Sequence, residues 1–172
     1  MAKKLLMIVA VAGLMSFIWL NAVNSADETQ KPNNLQVQID AVKAAIPKFS
    51  VPMREVGDRF QNMYFAAQGG NWGLAAYMSK YMNSAMNPAK LTKPAEYPAW
   101  AGFYNNTFAK VNEAITAQDF KSFEKTYSDA INRCNACHGV MGYGFIKVIK
   151  QNTASDLGVE YNLKSKATDV PK

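Results

Sequence analysis

The sequence predicts an all-α protein: an antiparallel four-helix bundle with an additional N-terminal amphipathic helix and an irregular C-terminal tail. Three observations lead to this prediction. Apolar residues recur at steps of three and four over most of the chain, which is typical of helices with one buried face. No segment alternates apolar and polar residues as a half-buried strand does. Short connections with glycine or proline separate the periodic segments, which favours antiparallel packing of neighbouring helices.

The length of 172 residues suits one folded domain behind a leader. We assign four segments: a signal peptide, a flexible polar leader, the helical bundle, and a polar C-terminal tail. Their bounds are residues 1–25, 26–34, 35–146 and 147–172. Removal of the predicted signal takes two lysines away and leaves 17 basic and 13 acidic residues, and the resulting net charge of +4 is mild. No nucleic-acid-binding motif accompanies it, so we predict no nucleic-acid partner.

The first segment has the pattern of a secretory signal. Lys3 and Lys4 precede an apolar run over residues 5–20, and small residues then lead to a cleavage site after Ser25 or Ala26. The run is slightly shorter than the ~20 residues that span a bilayer, so an uncleaved membrane anchor fits less well. We therefore predict export to the periplasm or another extracytoplasmic space.

An amphipathic helix is predicted after the leader. Its apolar stripe consists of Leu35, Ile39, Val42, Ile46 and Phe49. Pro47 interrupts this stripe, because proline lacks the amide hydrogen that an interior helix position needs. The segment should therefore be a short helix that ends in a kink.

Two helices of the predicted bundle follow. The stripe of the first is Met53, Val56, Phe60, Met63 and Ala67. Ser50 can cap its start, and Gly69-Gly70 should end it. The next helix should begin at Asn71, with the stripe Leu74, Tyr77, Met78, Tyr81 and Ala85. A polar connection containing Pro88 and Pro94 comes next.

Two further helices complete the bundle. The third carries Trp100, Phe103, Thr107 or Phe108, Val111 and Ile115. Asp119 can cap the fourth, and the glycines at 139, 142 and 144 should end it. The stripe of this last helix is the most regular: Phe120, Phe123, Tyr127, Ala130, Ile131, Cys134, Cys137, His138 and Met141.

This last stripe contains the sequence Cys134-Asn135-Ala136-Cys137-His138, which is the C-x-x-C-H attachment motif of a c-type haem. The two cysteines and the histidine are the only ones in the chain. Residues three and four apart project to the same side of a helix. The two thiols would form thioether bonds with the two vinyl groups of one haem, and His138 would bind the iron. Because these residues lie on the seam of the stripe, we expect the porphyrin inside the bundle.

Other interpretations of the motif fit less well. A thioredoxin-like C-x-x-C follows a strand in a βαβ unit, and no such pattern is present. Structural zinc needs four ligands, and the chain offers three cysteine and histidine side chains. A disulfide across two intervening residues of a helix would be strained.

A C-x-x-C-H motif at the end of the last helix of an all-α chain of this size resembles the class II c-type cytochromes, the cytochrome c′-like four-helix bundles. The resemblance covers roughly residues 50–145, and the attachment motif is its one specific feature. It implies that a residue of the first bundle helix faces the open side of the iron, and that an arginine there lies near a haem propionate. On this chain the matching region is residues 52–60, within which we select Met53 or Phe60 for the open side of the iron and Arg54 for the propionate. The resemblance also implies a homodimer, and the extra stripe at 35–49 departs from the family pattern.

The sixth iron position is open at this stage. His138 serves one face, so the other face has a methionine, a weaker donor such as Lys or Tyr, water, or no ligand. A thioether stabilises ferrous haem, and Met53 is the leading candidate. The alternative is a five-coordinate iron whose open face is shielded by Met53 or Phe60.

Each coordination state predicts a different function. A six-coordinate haem predicts a one-electron carrier with protein redox partners, and we favour this function. A five-coordinate haem predicts a protein that binds a diatomic gas such as NO or CO. A third alternative is a haem subunit of a larger redox complex. We predict no enzyme, because peroxidase-type chemistry usually needs a second, distal histidine.

Overall fold

The computed structural model describes residues 34–155 and 158–171. The described residues form helices joined by turns and irregular segments, and apart from an isolated bridge between Asn71 and Ser165 they contain no β-pairing. The predicted all-α class is therefore confirmed. The predicted signal peptide and nearly all of the predicted leader lie outside the described residues.

Helix α1 covers residues 34–45 of the described chain and stops before Pro47. The chain divides into two units at the bond between Ile46 and Pro47, and α1 belongs to the first of them. The second unit contains all the other elements. Its helices are α2 (Ser50–Gly69), α3 (Trp72–Ala85), α4 (Ala89–Thr92), α5 (Tyr97–Gly102), α6 (Phe108–Ala117) and α7 (Phe120–Val140). A π-helical turn, Phe103–Thr107, joins α5 to α6, and a 3₁₀ turn spans Ala167–Asp169.

Local sequence explains several of the helix ends. Gly70 ends α2 with a left-handed φ of 80°, a conformation that glycine adopts without a steric cost. The side chain of Asn71 accepts a hydrogen bond from the amide of Leu74 at the start of α3, and that of Asp119 caps α7 in the same way. The predicted cap at Ser50 is wrong, because Phe49 occupies the N-cap of α2 and provides no side-chain bond.

Helices α2 and α7 run in opposite directions. The rings of Phe60 and Tyr127 stack with their centroids 4.1 Å apart. One turn further along α2, the Tyr64 hydroxyl donates to Glu124, one turn earlier on α7. The α7 residues buried in this contact are Phe123, Tyr127 and Ala130, which all belong to the predicted stripe. Residues of α7 beyond Ala130 are half-buried or exposed, although Ile131 still packs against the core.

Helix α3 runs opposite to the segment formed by α5, the π turn and α6. Ser79 in α3 lies within hydrogen-bond distance of the Tyr104 hydroxyl, at 3.2 Å. One turn later in α3, the Asn83 side chain accepts a bond of 3.1 Å from the indole nitrogen of Trp100, one turn earlier in the partner segment. The two short connections after α2 and α6 bring each helix back beside its predecessor.

The described residues after Phe145, which we call the C-terminal strap, lie along α2 and α3. Asn62 is fully buried in α2, and its side-chain oxygen accepts hydrogen bonds from Ser155 Oγ and the Tyr161 hydroxyl. Asn71 donates from Nδ2 to the carbonyl of Glu160 at 2.8 Å. Two buried amides therefore fix the irregular end of the chain to the helices.

Candidate haem attachment site

The predicted attachment motif lies in the last two turns of α7. Helix α7 continues to Val140 and so ends within the segment of three glycines that the sequence predicts to end it. Gly142 then adopts a left-handed φ of 82°. The amide of Tyr143 donates to the carbonyl of His138 at 2.7 Å, and that of Gly142 donates to Gly139 at 3.4 Å. This pair of bonds is a Schellman motif, which turns the chain back toward the helix.

The turn brings a backbone carbonyl to the imidazole of His138. Nδ1 of His138 lies 3.0 Å from the carbonyl oxygen of Ile146. Because a carbonyl oxygen only accepts hydrogen bonds, Nδ1 carries the hydrogen and the neutral ring has its lone pair on Nε2. His138 is thus held in the tautomer that presents Nε2 to a metal ion, in the way that most metal-binding histidines are oriented.

Asn135, the first variable residue of the motif, binds the same returning segment. Its Nδ2 donates to the carbonyl of Val148 at 2.9 Å, and its Oδ1 accepts from the amide of Val148 at 2.8 Å. The side-chain amide therefore satisfies both backbone groups of one residue. Together, His138 and Asn135 fix the start of the strap against the end of α7.

The two cysteines are free thiols in different surroundings. Cys134 is half-buried, and loss of hydration, with a smaller contribution from the charge of Cys137, raises the pKa of its thiol to about 12. Burial also raises the pKa of the nearby Tyr127 hydroxyl, with the charge of Cys134 as the second cause. Cys137 is exposed at the helix surface. At neutral pH Cys134 is therefore protonated, next to the packed core.

Apolar side chains are exposed around the motif. Val140 is 87 % exposed, Phe145 80 % and Ile149 63 %. Val140 is the last residue of α7, Phe145 directly precedes the strap, and Ile149 lies in the strap. Large contiguous apolar surfaces on soluble proteins usually mark an interaction site. A flat apolar cofactor held by the two cysteines would have apolar side chains beside it here.

The other predicted site residues lie on α2. Met53 is half-buried against the core. Arg54 is exposed, and its Nε lies 3.9 Å from Oδ2 of Asp58. Because α2 and α7 are antiparallel and Phe60 contacts Tyr127, two turns back along α2 correspond to two turns forward along α7. That register places Met53 at the level of Cys134. Phe60 itself is buried and stacked on Tyr127, two turns from the motif.

The carbonyl of Ile146 and the amide of Asn135 were not predicted as site groups. Every residue has a carbonyl, so no residue type could mark Ile146, and the sequence motif leaves the position of Asn135 unrestricted. Among the described residues, no group of three or more histidine, cysteine, aspartate or glutamate side chains is arranged to hold a metal ion. No helix in the described part of the chain is long and apolar enough to cross a membrane.

Comparisons with protein-family models, with curated proteins and with solved structures find no match for this chain. The motif and the geometry around His138 are therefore the basis for inferring its function.

Proposed function

We propose that this protein is an exported monohaem c-type cytochrome that carries single electrons between redox partner proteins. The observation that carries the proposal is the arrangement of His138 beside two free thiols. The bond from Nδ1 to the carbonyl of Ile146 leaves Nε2 available as an axial ligand. The thiols of Cys134 and Cys137 project from the same helix within the preceding turn.

These residues fit the chemistry of a covalent haem. Each thiol adds across one vinyl C=C bond: the sulfur bonds to one carbon and the hydrogen passes to the other, so no oxidant is needed. His138 would bind the iron through Nε2. When bound, the haem iron would accept and release one electron. The exposed apolar side chains of Val140, Phe145 and Ile149 would lie beside the attachment residues and reduce access of water.

We also propose that α2, α3, the segment from α5 to α6, and α7 form the antiparallel four-helix bundle of a class II c-type cytochrome. The opposed directions of α2 and α7, and of α3 and its partner segment, support this arrangement. The register of α2 against α7 supports Met53 as the sixth iron ligand. A thioether in that position favours the ferrous state and raises the reduction potential.

Replacement of both motif cysteines tests the proposal. The full chain, with its predicted signal, should be produced in a host that attaches haem to exported cytochromes, then denatured and extracted with acidified acetone. We expect haem to remain with the wild-type polypeptide and to be removed entirely from the double variant Cys134→Ala, Cys137→Ala. The matched control is Ser128→Ala with Asn132→Ala, since both side chains are exposed on the same helix. Haem-free wild-type protein, or haem retained by the double cysteine variant, would contradict the proposal.

A further inference from the structure

We propose that Asn135 is a positioning residue for His138, and that it acts through the backbone of the strap. Its amide holds Val148 with two hydrogen bonds, of 2.9 Å and 2.8 Å. Val148 is two residues from Ile146, whose carbonyl accepts the hydrogen bond from His138. Asn135 thus fixes the position of the acceptor that determines the tautomer and the orientation of the imidazole.

Hydrogen bonds before and after Ile146 in the chain fix the position of its carbonyl oxygen. On its N-terminal side, the amide of Ile146 donates to the carbonyl of Tyr143 at 2.8 Å, within the turn that ends α7. On its C-terminal side, the first bonds to the helix are those of Asn135. Two residues of extended chain reach at most about 7 Å, so a fixed Val148 leaves the carbonyl of Ile146 little freedom. Loss of the Asn135 amide would release this side of the acceptor.

The next bond between the strap and α7 lies too far from Ile146 to replace the two bonds of Asn135. Lys150 Nζ lies 3.0 Å from a carboxylate oxygen of Glu124 on α7. This bond connects two flexible, half-exposed side chains and leaves the backbone of Val148 free to move. The paired bonds of Asn135 act on the backbone itself, which makes them the closer constraint on Ile146.

The position of the hydrogen on His138 has a chemical consequence. Donation from Nδ1 to a carbonyl makes Nε2 a stronger electron donor to a bound metal ion. Without a fixed acceptor the ring can rotate or place its hydrogen on Nε2, and the second change removes the lone pair that binds iron. The role of His138 as an iron ligand rests on the proposed function, but the effect of Asn135 on its tautomer does not.

The test uses the histidine nitrogens directly. His138 is the only histidine of the chain, so a full chain labelled with ¹⁵N-histidine gives one imidazole signal set without assignment. The haem-free full chain is studied at about pH 8.5, where an imidazole is neutral. We expect the Nδ1–H tautomer to predominate in the wild type. In Asn135→Ala the ratio of the two tautomers should shift about five-fold or more toward the value of the urea-unfolded chain, as expected from losing one ordinary hydrogen bond.

Two further variants make the result specific. Asn135→Asp retains the acceptor for the Val148 amide but replaces the donor by an oxygen facing the Val148 carbonyl, so it should shift the ratio as Asn135→Ala does. Asn106→Ala is the matched control, because Asn106 also donates from its side chain to a backbone carbonyl, that of Gly102, on an exposed helix face. An unchanged ratio in both Asn135 variants, or an equal shift in the control, would overturn the proposal. Far-ultraviolet circular dichroism confirms that each variant retains its helices.

The haem-loaded protein provides a second measurement. The weaker donor should stabilise ferric iron less, so Asn135→Ala should have a higher midpoint potential than the wild type. A tautomer shift without haem attachment in the wild type would support the role of Asn135 and refute the proposed function. Haem attachment without a tautomer shift would support the function and refute the role of Asn135.

Discussion

Cys134 and Cys137 are three residues apart, yet their side chains meet different surroundings. Cys134 is half-buried near the hydroxyl of Tyr127, and the resulting loss of hydration raises the pKa of its thiol to about 12. Cys137 is exposed. The thiolate is the nucleophile, so the buried and the exposed thiol should react with an alkylating reagent at different rates.

We expect Cys137 to react first with iodoacetamide in the haem-free chain. At about pH 8 only on the order of one Cys134 side chain in ten thousand is a thiolate, given a pKa of about 12. Cys137 should therefore be alkylated at least ten-fold faster, as measured by mass spectrometry of the two-cysteine peptide. The single variants Cys134→Ala and Cys137→Ala identify each rate separately. Equal rates in the folded chain would show that Cys134 is not desolvated, and urea should remove the difference.

Met53 is the α2 side chain that the register places at the level of Cys134. Replacement by leucine retains the apolar volume and removes the sulfur, so the fold should change little. We expect Met53→Leu in the haem-loaded protein to lose the weak far-red ferric band of a thioether ligand and to lower the midpoint potential. Met63→Leu is the matched control, because Met63 is fully buried in the same helix but further from the motif. If the far-red ferric band of Met53→Leu is the same as that of the wild type and of Met63→Leu, Met53 is not a ligand of the iron.

The turn after α7 determines where the chain returns to the candidate site. Gly142 has a φ of 82°, and the turn it forms brings the strap back to His138. A side chain at this φ is strained by about 1–2 kcal/mol. Gly144 lacks a positive φ, and an added Cβ there would meet its nearest atom at an ordinary 3.8 Å.

We therefore expect Gly142→Ala to lower the free energy of unfolding by about 1–2 kcal/mol, and Gly144→Ala to change it by less than about 0.5 kcal/mol. Urea titrations followed by circular dichroism measure both values. Gly142→Ala should also shift the tautomer of His138, because the turn no longer delivers the carbonyl of Ile146. Equal stability of the two variants would mean that the turn relaxes without cost.

The helices were predictable from the sequence because their packing repeats. Phe123 and Tyr127 lie on a stripe with the helical period, and both are buried. The strap was not predictable in the same way, because its contacts are single polar bonds between distant residues. Asn62 and Ser155 are 93 positions apart, and neither belongs to a periodic pattern. The sequence therefore predicted the helical elements and left open where the irregular segment would lie.

The candidate site also contains groups that the sequence predicts and groups that it does not. Cys134, Cys137 and His138 were predicted as attachment residues from their spacing, since the chemistry of attachment fixes the residue types. The groups that orient His138 were not, because they are a backbone carbonyl and an amide side chain at a position that the motif leaves variable. Backbone acceptors depend on the path of the chain, and only the structure describes that path beyond Gly142.

For the whole molecule, the site lies at one end of the helices of the second unit. The last buried residue of α7 is Ala130, and the predicted motif begins one turn later with the half-buried Cys134. The start of the strap contacts α7 through Val148 and Lys150, and the strap then continues along α2 and α3, where Asn62 and Asn71 hold it. The same segment that orients His138 is therefore part of the packing of the whole unit.

The response to carbon monoxide distinguishes an electron carrier from a protein that binds a diatomic gas. If Met53 occupies the sixth position, CO has no vacant site, and the ferrous spectrum of the haem-loaded protein should be sharp and unchanged when CO is added. Met53→Ala removes the ligand and its volume, so this variant should bind CO and show a shifted, sharpened ferrous band. A wild-type spectrum that is broad and sharpens with CO would mean an open sixth position. The proposed role would then change from electron carrier to binding of a diatomic gas, with the same attachment residues.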